Sequence, residues 1–232
     1  HAFHLAFLGD NSQCNALLER LCPDTVTAEA AQGITRLEGH PLKWERHAEF
    51  FTLTLVVPAS SDELQWTTLP ESLARGIEGH AQHLINAVQV VVRAEAGLDL
   101  PSYGFKDPCG SCVGGGDAVV WSDFRLTEDG TNRLLFINRR LNAYRQGRMI
   151  RRLLEIETYR MMASLSLNIA KALDPQLNEF DRTLVSLSER NANASGVHAK
   201  ALLEDIALLS RQVVSSTVRN RHRLSAARPY AQ

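Results

Sequence analysis

Between Lys43 and Glu49 the chain reads Lys-Trp-Glu-Arg-His-Ala-Glu, five ionisable side chains in seven positions. Side chains alternate across an extended strand, so Lys43, Glu45, His47 and Glu49 share one face and Trp44, Arg46 and Ala48 the other. Asp123 and Arg125 share a face of a second strand beside Trp121. On a predicted helix, Glu155 precedes Tyr159 by one turn and Glu157 precedes Arg160 by three residues, spacings at which helical side chains meet. The chemistry available to such a set is recognition of an anion. Arg46 and Arg125 would offer guanidinium forks to a carboxylate or phosphate, and His47 could act as an acid or base near neutral pH. The same density also builds structural ion-pair networks. The candidate cluster is therefore Arg46, His47, Glu49, Asp123, Arg125, Glu155, Glu157, Tyr159 and Arg160. A network fixing how helix docks on sheet is the favoured reading, with a ligand pocket as the alternative.

Other motifs are incomplete. Cys109 and Cys112 form a Cys-x-x-Cys without a second ligand pair or a surrounding βαβ pattern, so neither a zinc nor a thioredoxin-type site is expected, although a disulfide in an oxidising preparation is conceivable. Gly110, Gly114, Gly115 and Gly116 lie ahead of a strand, whereas a phosphate cradle follows a strand and opens a helix. This glycine-rich stretch reads as a mobile loop that could close over a ligand. His80 and His83 have metal-compatible spacing but lack a third ligand. No metal, no cofactor and no complete catalytic motif is expected, and the reading leans away from an enzyme. Arg211, Arg219, Arg221, Arg223 and Arg228 follow the last acidic residue, Asp205. They suit either a solvated helix end or contact with anionic lipid or an acidic partner.

The elements that must position these residues follow from periodicity. Ala2 to Leu8 is a short apolar run ending at Gly9-Asp10, a buried strand. Ser12 opens an amphipathic helix carrying Leu17, Leu18 and Leu21 and stopped by Pro23. Residues 34–37, 42–47 and 49–57 read as strands around the turn Gly39-His40-Pro41. Pro58 to Gly79 is a loop with a short helix, residues 84–94 a strand, and Gly97 to Gly116 a loop. Strands 118–126 and 132–137 form a hairpin across Asp129-Gly130. A long helix over 141–173, capped by Asn142, carries Met149, Ile150, Leu153, Leu154, Ile156, Met161, Leu165, Ile169 and Leu173 near the i, i+3, i+4, i+7 rhythm. Asp174-Pro175 interrupts it; helical pattern resumes at Leu177, Phe180, Leu184 and Leu187. After a polar break over 191–196, a last helix spans 197–218.

Strands first and helices last predict an α+β fold. We expect a mixed or antiparallel sheet of about five to seven strands, backed by the long helix, with a C-terminal helical hairpin. Residues 1–174 would form the sheet-and-helix domain and 175–232 a helical arm. The 232 residues are 44% apolar and 22% charged with a formal charge of −1, an ordinary globular composition that lacks the basic face of a nucleic-acid binder. Four irregularly spaced cysteines are not a disulfide framework and suit a reducing compartment. No apolar run approaches the roughly 20 residues of a membrane span. The chain starts at His1 without a signal peptide, so it reads as a portion of a longer protein whose targeting or membrane segments lie elsewhere.

Three phrases carry a resemblance: residues 42–50 (Leu-Lys-Trp-Glu-Arg-His-Ala-Glu-Phe), Trp121 to Leu126 followed by Glu128-Asp129-Gly130, and Arg152 to Met162. In this order they resemble a bacterial family of uncharacterised membrane-anchored proteins, the domain of unknown function numbered thirty-four twenty-two. The resemblance covers nearly the whole chain. It implies the soluble portion of an inner-membrane protein facing the cytoplasm, continued outside this chain into membrane-spanning segments, and it implies no activity. The leading expectation is an interaction or scaffold protein, with a protein partner or self-association through coiled-coil-like C-terminal helices. The alternative is a domain binding or transforming an anionic small molecule at the charged cluster.

Overall fold

A computed structural model describes residues 1–24, 30–58, 66–95, 99–192 and 199–227. The chain divides into two compact units, His1–Thr158 and Tyr159–Gln232. The fold is α+β.

The first unit is built on one eight-stranded sheet, more strands than the sequence pattern suggests. Its strands are β1 (Ala2–Leu8), β2 (Gln32–Leu37), β3 (His40–Arg46), β4 (Phe50–Val56), β5 (Leu84–Ala94), β6 (Cys109–Val113), β7 (Ala118–Ser122) and β8 (Asn132–Asn138). Across the sheet they run β2-β3-β4-β1-β5-β8-β7-β6. All neighbours are antiparallel except β5 and β8, whose parallel register pairs Val90 with Leu134. The β6–β7 pair fills the crossover between them.

Period-two alternation gives the sheet two buried faces. Phe3, Leu5 and Phe7 of β1 point to the face covered by α1 (Asn11–Leu21) and by Leu73 of α2 (Glu71–Ile77). Farther along, the same face carries Val91, Leu135 and Ile137 under Trp66 and Tyr103. Ala2, Val88, Val90, Leu134 and Phe136 point the opposite way, onto Ile150, Leu153 and Leu154 of α3 (Ala143–Ala192). Asp10, rather than Ser12, caps α1: its carboxylate accepts from Gln13 N (3.0 Å) while Gln13 Oε1 accepts from Asp10 N (3.0 Å), satisfying two otherwise orphaned donors. Asn142 caps α3 as its sequence suggests, with Oδ1 accepting from Arg145 N at 2.9 Å.

Three local expectations are corrected. Residues 97–116 are not all loop, since Leu100–Tyr103 is a 3-10 turn and Cys109–Val113 is β6. Cys-Gly-Ser-Cys has little strand propensity, but Gly110 admits the Trp121 ring, which a Cβ there would meet at 2.6 Å. β7 stops at Ser122 because Phe124 takes φ +53°, with its N–H donating to Ser122 Oγ at 3.0 Å; Asp123 and Arg125 therefore lie beyond the strand. Pro175 does not end α3, which runs unbroken to Ala192.

The reason lies in the second unit, where α3 pairs antiparallel with α4 (Ala199–Ala227). Leu187, Leu202, Leu209 and Phe180 form its core, Arg190 pairs with Asp205 at 2.7 Å, and Ser216 Oγ donates to Gln176 Oε1 at 3.0 Å. The inward residues on α3 are Ile169, Leu173, Phe180, Thr183 and Leu187, and on α4 Leu202, Asp205, Leu209 and Ser216. That is an alternating three-and-four spacing with a seven-residue repeat. A proline within a helix costs about 3 kcal/mol, and a seam that continues on both sides of Pro175 offsets it.

Candidate functional site

The sheet face under α3 carries a buried polar seam. His4 is 4% exposed; its Nδ1 lies 2.8 Å from Thr54 Oγ1 and its Nε2 3.0 Å from Thr158 Oγ1. Thr158 Oγ1 also accepts from Asn86 Nδ2 at 3.5 Å. Alongside, Asn132 Nδ2 donates to Glu157 Oε2 at 2.6 Å and Ser122 Oγ to Asn132 Oδ1 at 3.5 Å. Burial away from water lowers the His4 pKa from 6.5 to about 4, against the opposing pull of Glu45. The ring is thus neutral at physiological pH, with one nitrogen donating and one accepting. Every group in this seam is spent on its neighbours, which is the pattern of a docking device rather than of a reactive centre.

Next to the seam lies a groove of about 600 Å³ between the sheet and the first turns of α3. Ala2, Ile34, Val56, Val92, Ile150 and Leu154 wall it, and Lys43, Glu45, Arg151 and Glu155 stand along one side. Glu45, on β3, takes Lys43 Nζ at 2.8 Å and an Arg151 amino group at 3.3 Å. Arg151 Nε reaches Glu155 at 2.8 Å. His47 stacks on Phe50 with centroids 4.1 Å apart. Burial lowers its pKa, and the carboxylates of Glu45 and Glu155 oppose that shift.

The structure distributes the sequence-predicted cluster over separate places. The strand alternation holds: Lys43 and Glu45 face α3, while Trp44 lies in the core under α1. Arg46 follows Trp44, with its guanidinium 4.8 Å from the indole centroid, donating to Ala30 O at 2.7 Å and to Asn15 Oδ1 of α1. Arg125 is exposed and pairs with Asp107. Five strand spacings separate β3 from β7, about 24 Å, so Arg46 and Arg125 do not converge on one ligand. Asp123 is a turn former, accepting from the backbone N–H groups of Lys106 and Arg125 at 3.2 Å each. It borders a polar hollow of about 890 Å³ with Lys106, Arg125 and Arg133. Glu155 joins the groove, Glu157 the buried seam, and Glu49 holds Gly9 N through its carbonyl at 3.1 Å. Tyr159 and Arg160 open the second unit, half-buried and exposed respectively. Arg211, Arg219 and Arg221 are exposed on α4; the side chain of Arg223 and all of Arg228 lie outside the described residues.

The smaller motifs resolve as well. Cys109 and Cys112 occupy the exposed edge strand β6. Three residues along a strand put them about 10 Å apart on opposite faces, too far for a disulfide or a shared metal. His80 and His83 sit in a 3-10 turn, Glu78–His83, and no cluster of potential metal ligands occurs among the described residues. Residues that sequence reasoning passed over are His4, Ile34, Gly147 and Arg151. Gly147, a glycine inside a helical pattern, is the signal that could have found the groove.

Sheet and helices together define an α+β protein with an apolar groove in its first unit. The chain belongs to the family described as protein of unknown function DUF3422, whose sequence model spans residues 1–232. No curated protein and no solved structure matches it.

Proposed function

We propose that this is an interaction protein that self-associates through the helical pair of its second unit. The observation that carries this reading is an apolar strip left uncovered beside the seven-residue seam. Leu177 and Leu184 on α3, and Ile206 and Val213 on α4, are all exposed; Leu184 and Ile206 directly follow the inward-facing Thr183 and Asp205, and Leu177 and Val213 lie one seven-residue repeat from them. In an antiparallel helical pair those positions fall on the same flank, so the four side chains make one stripe. Exposed contiguous apolar surface marks association sites. A two-fold axis would lay the stripe of one copy on that of another, giving a four-helix coiled-coil contact. Burial of each side chain contributes up to about 1.5–3 kcal/mol.

Membrane anchoring, which the family resemblance implies, would use segments outside these residues, since no helix of the described residues is long and apolar enough to cross a membrane. The exposed Arg211, Arg219 and Arg221, with no acidic residue after Asp205, suit the neighbourhood of anionic headgroups. Sedimentation velocity of the chain at tens of micromolar tests the assembly. A dimer or larger species is expected for the parent, and a monomer of unchanged helicity for Leu184→Lys/Ile206→Lys. A monomeric parent refutes the reading.

A further inference from the structure

The groove of the first unit has a feature that its own packing does not require. α3 lines it with Ala143, Gln146, Gly147, Ile150, Arg151 and Leu154, the i, i+3, i+4, i+7 face of a helix. A glycine inside a helix costs about 1 kcal/mol relative to alanine. At Gly147 an added Cβ would have no atom within 4 Å, so no protein contact demands the missing side chain. What glycine preserves is space in the groove. Across that space Ile34 is 74% and Val56 47% exposed, apolar walls open to the groove. The volume, about 600 Å³, lies within the roughly 300–1,000 Å³ of small-molecule sites.

The charges along the groove identify what kind of molecule fits. Two cations, Lys43 and Arg151, face two anions, Glu45 and Glu155, and the contacts at 2.8, 3.3 and 2.8 Å already pair them. The His1 nitrogen donates one N–H to Val57 O at 2.8 Å. These four charges sum to zero, so a ligand bearing a net charge finds no unbalanced counter-charge among them. An uncharged ligand leaves them intact. Gln146 spends its carbonyl on Asn138 Nδ2 at 2.7 Å, so what it offers the groove is its two amide N–H donors, which suit a carbonyl or hydroxyl oxygen.

We propose that the groove between the sheet and the first turns of α3 binds an uncharged amphiphile, its apolar body against Ile34, Val56, Ile150 and Leu154 and a carbonyl or hydroxyl end group at Gln146. Two fluorophores with the same aromatic body test it, neutral N-phenyl-1-naphthylamine and anionic 1-anilinonaphthalene-8-sulfonate. The full chain is expected to bind the neutral probe saturably at one site, and the anionic probe at least tenfold more weakly. Gly147→Phe, which fills the space and removes a helix-interior glycine, is expected to fold with an unchanged or higher Tm and to lose at least tenfold in affinity for the neutral probe. Leu184→Lys/Ile206→Lys, on the second unit, is expected to bind like the parent. No saturable binding by the parent, equal affinity for both probes, or unchanged binding by Gly147→Phe would each overturn the proposal.

Discussion

His4 makes the stability of the first unit depend on pH in a calculable way. Its ring is buried between Thr54 and Thr158, and its pKa falls from 6.5 to about 4. The unfolded chain therefore binds a proton that the folded chain refuses between those values. Stability rises with pH wherever the unfolded state holds more protons, so the full contribution is present above pH 6.5. It is lost progressively as pH falls and saturates below about 4. Each pKa unit is worth about 1.4 kcal/mol, so lowering the pH from about 7.5 to about 4.5 should cost about 2–3 kcal/mol through this group. Other groups titrate over the same range, including His47, whose shift has the same sign. The measurement is thus a difference between the parent and His4→Gln, whose amide can still bridge the two hydroxyls without titrating. Urea unfolding followed by tryptophan fluorescence reads this unit alone, because Trp44, Trp66 and Trp121 all lie within it. The parent should lose about 2–3 kcal/mol more than His4→Gln over that pH interval. Parallel losses in the two proteins would refute the account of His4 as a neutral, buried link between sheet and helix.

Two other perturbations test the sheet. Gly33→Ala places a Cβ 2.5 Å from the Trp44 ring of the neighbouring strand and should destabilise the unit by about 1–3 kcal/mol, measured by the same urea titration; an unchanged midpoint would count against the packing of Trp44 over β2. Cys109 and Cys112 should both remain alkylatable after mild oxidation of the folded monomer, and a mass loss of two hydrogens within one chain would contradict their placement on opposite faces of β6.

Much of this architecture is legible in residue patterns, for identifiable reasons. Phe51 to Val57 alternates cleanly, and β4 lies there; Asn142 announces the start of α3. The parallel pairing of β5 with β8 is hidden, because a run such as Ala-Val-Gln-Val-Val-Val (Ala87–Val92) records burial and not the direction of its neighbour. β6 is hidden because its strand character is supplied by Trp121 from across the ladder. Pro175 misleads because a local breaking signal is outweighed by a seam that α4 completes. The charged phrase assigns its faces correctly from Lys43 to Arg46, where β3 ends before His47 and Glu49, yet only sheet order separates Arg46 from Arg125. The groove escaped notice because its walls read as ordinary core and its decisive residue, Gly147, has no side chain.

The seven-residue seam of the second unit also constrains how this chain can change length. Seven residues advance a helix by about 10.5 Å and return the chain to within about 20° of the same angular position, a drift that supercoiling takes up. Adding or removing one such step in both α3 and α4 would keep Leu187 against Leu202 and the uncovered stripe on its flank. Adding a single residue would instead turn the stripe by about 100°. The pair is in effect a ruler graduated in steps of one repeat, and lengths that fall on its marks keep the same apolar edge.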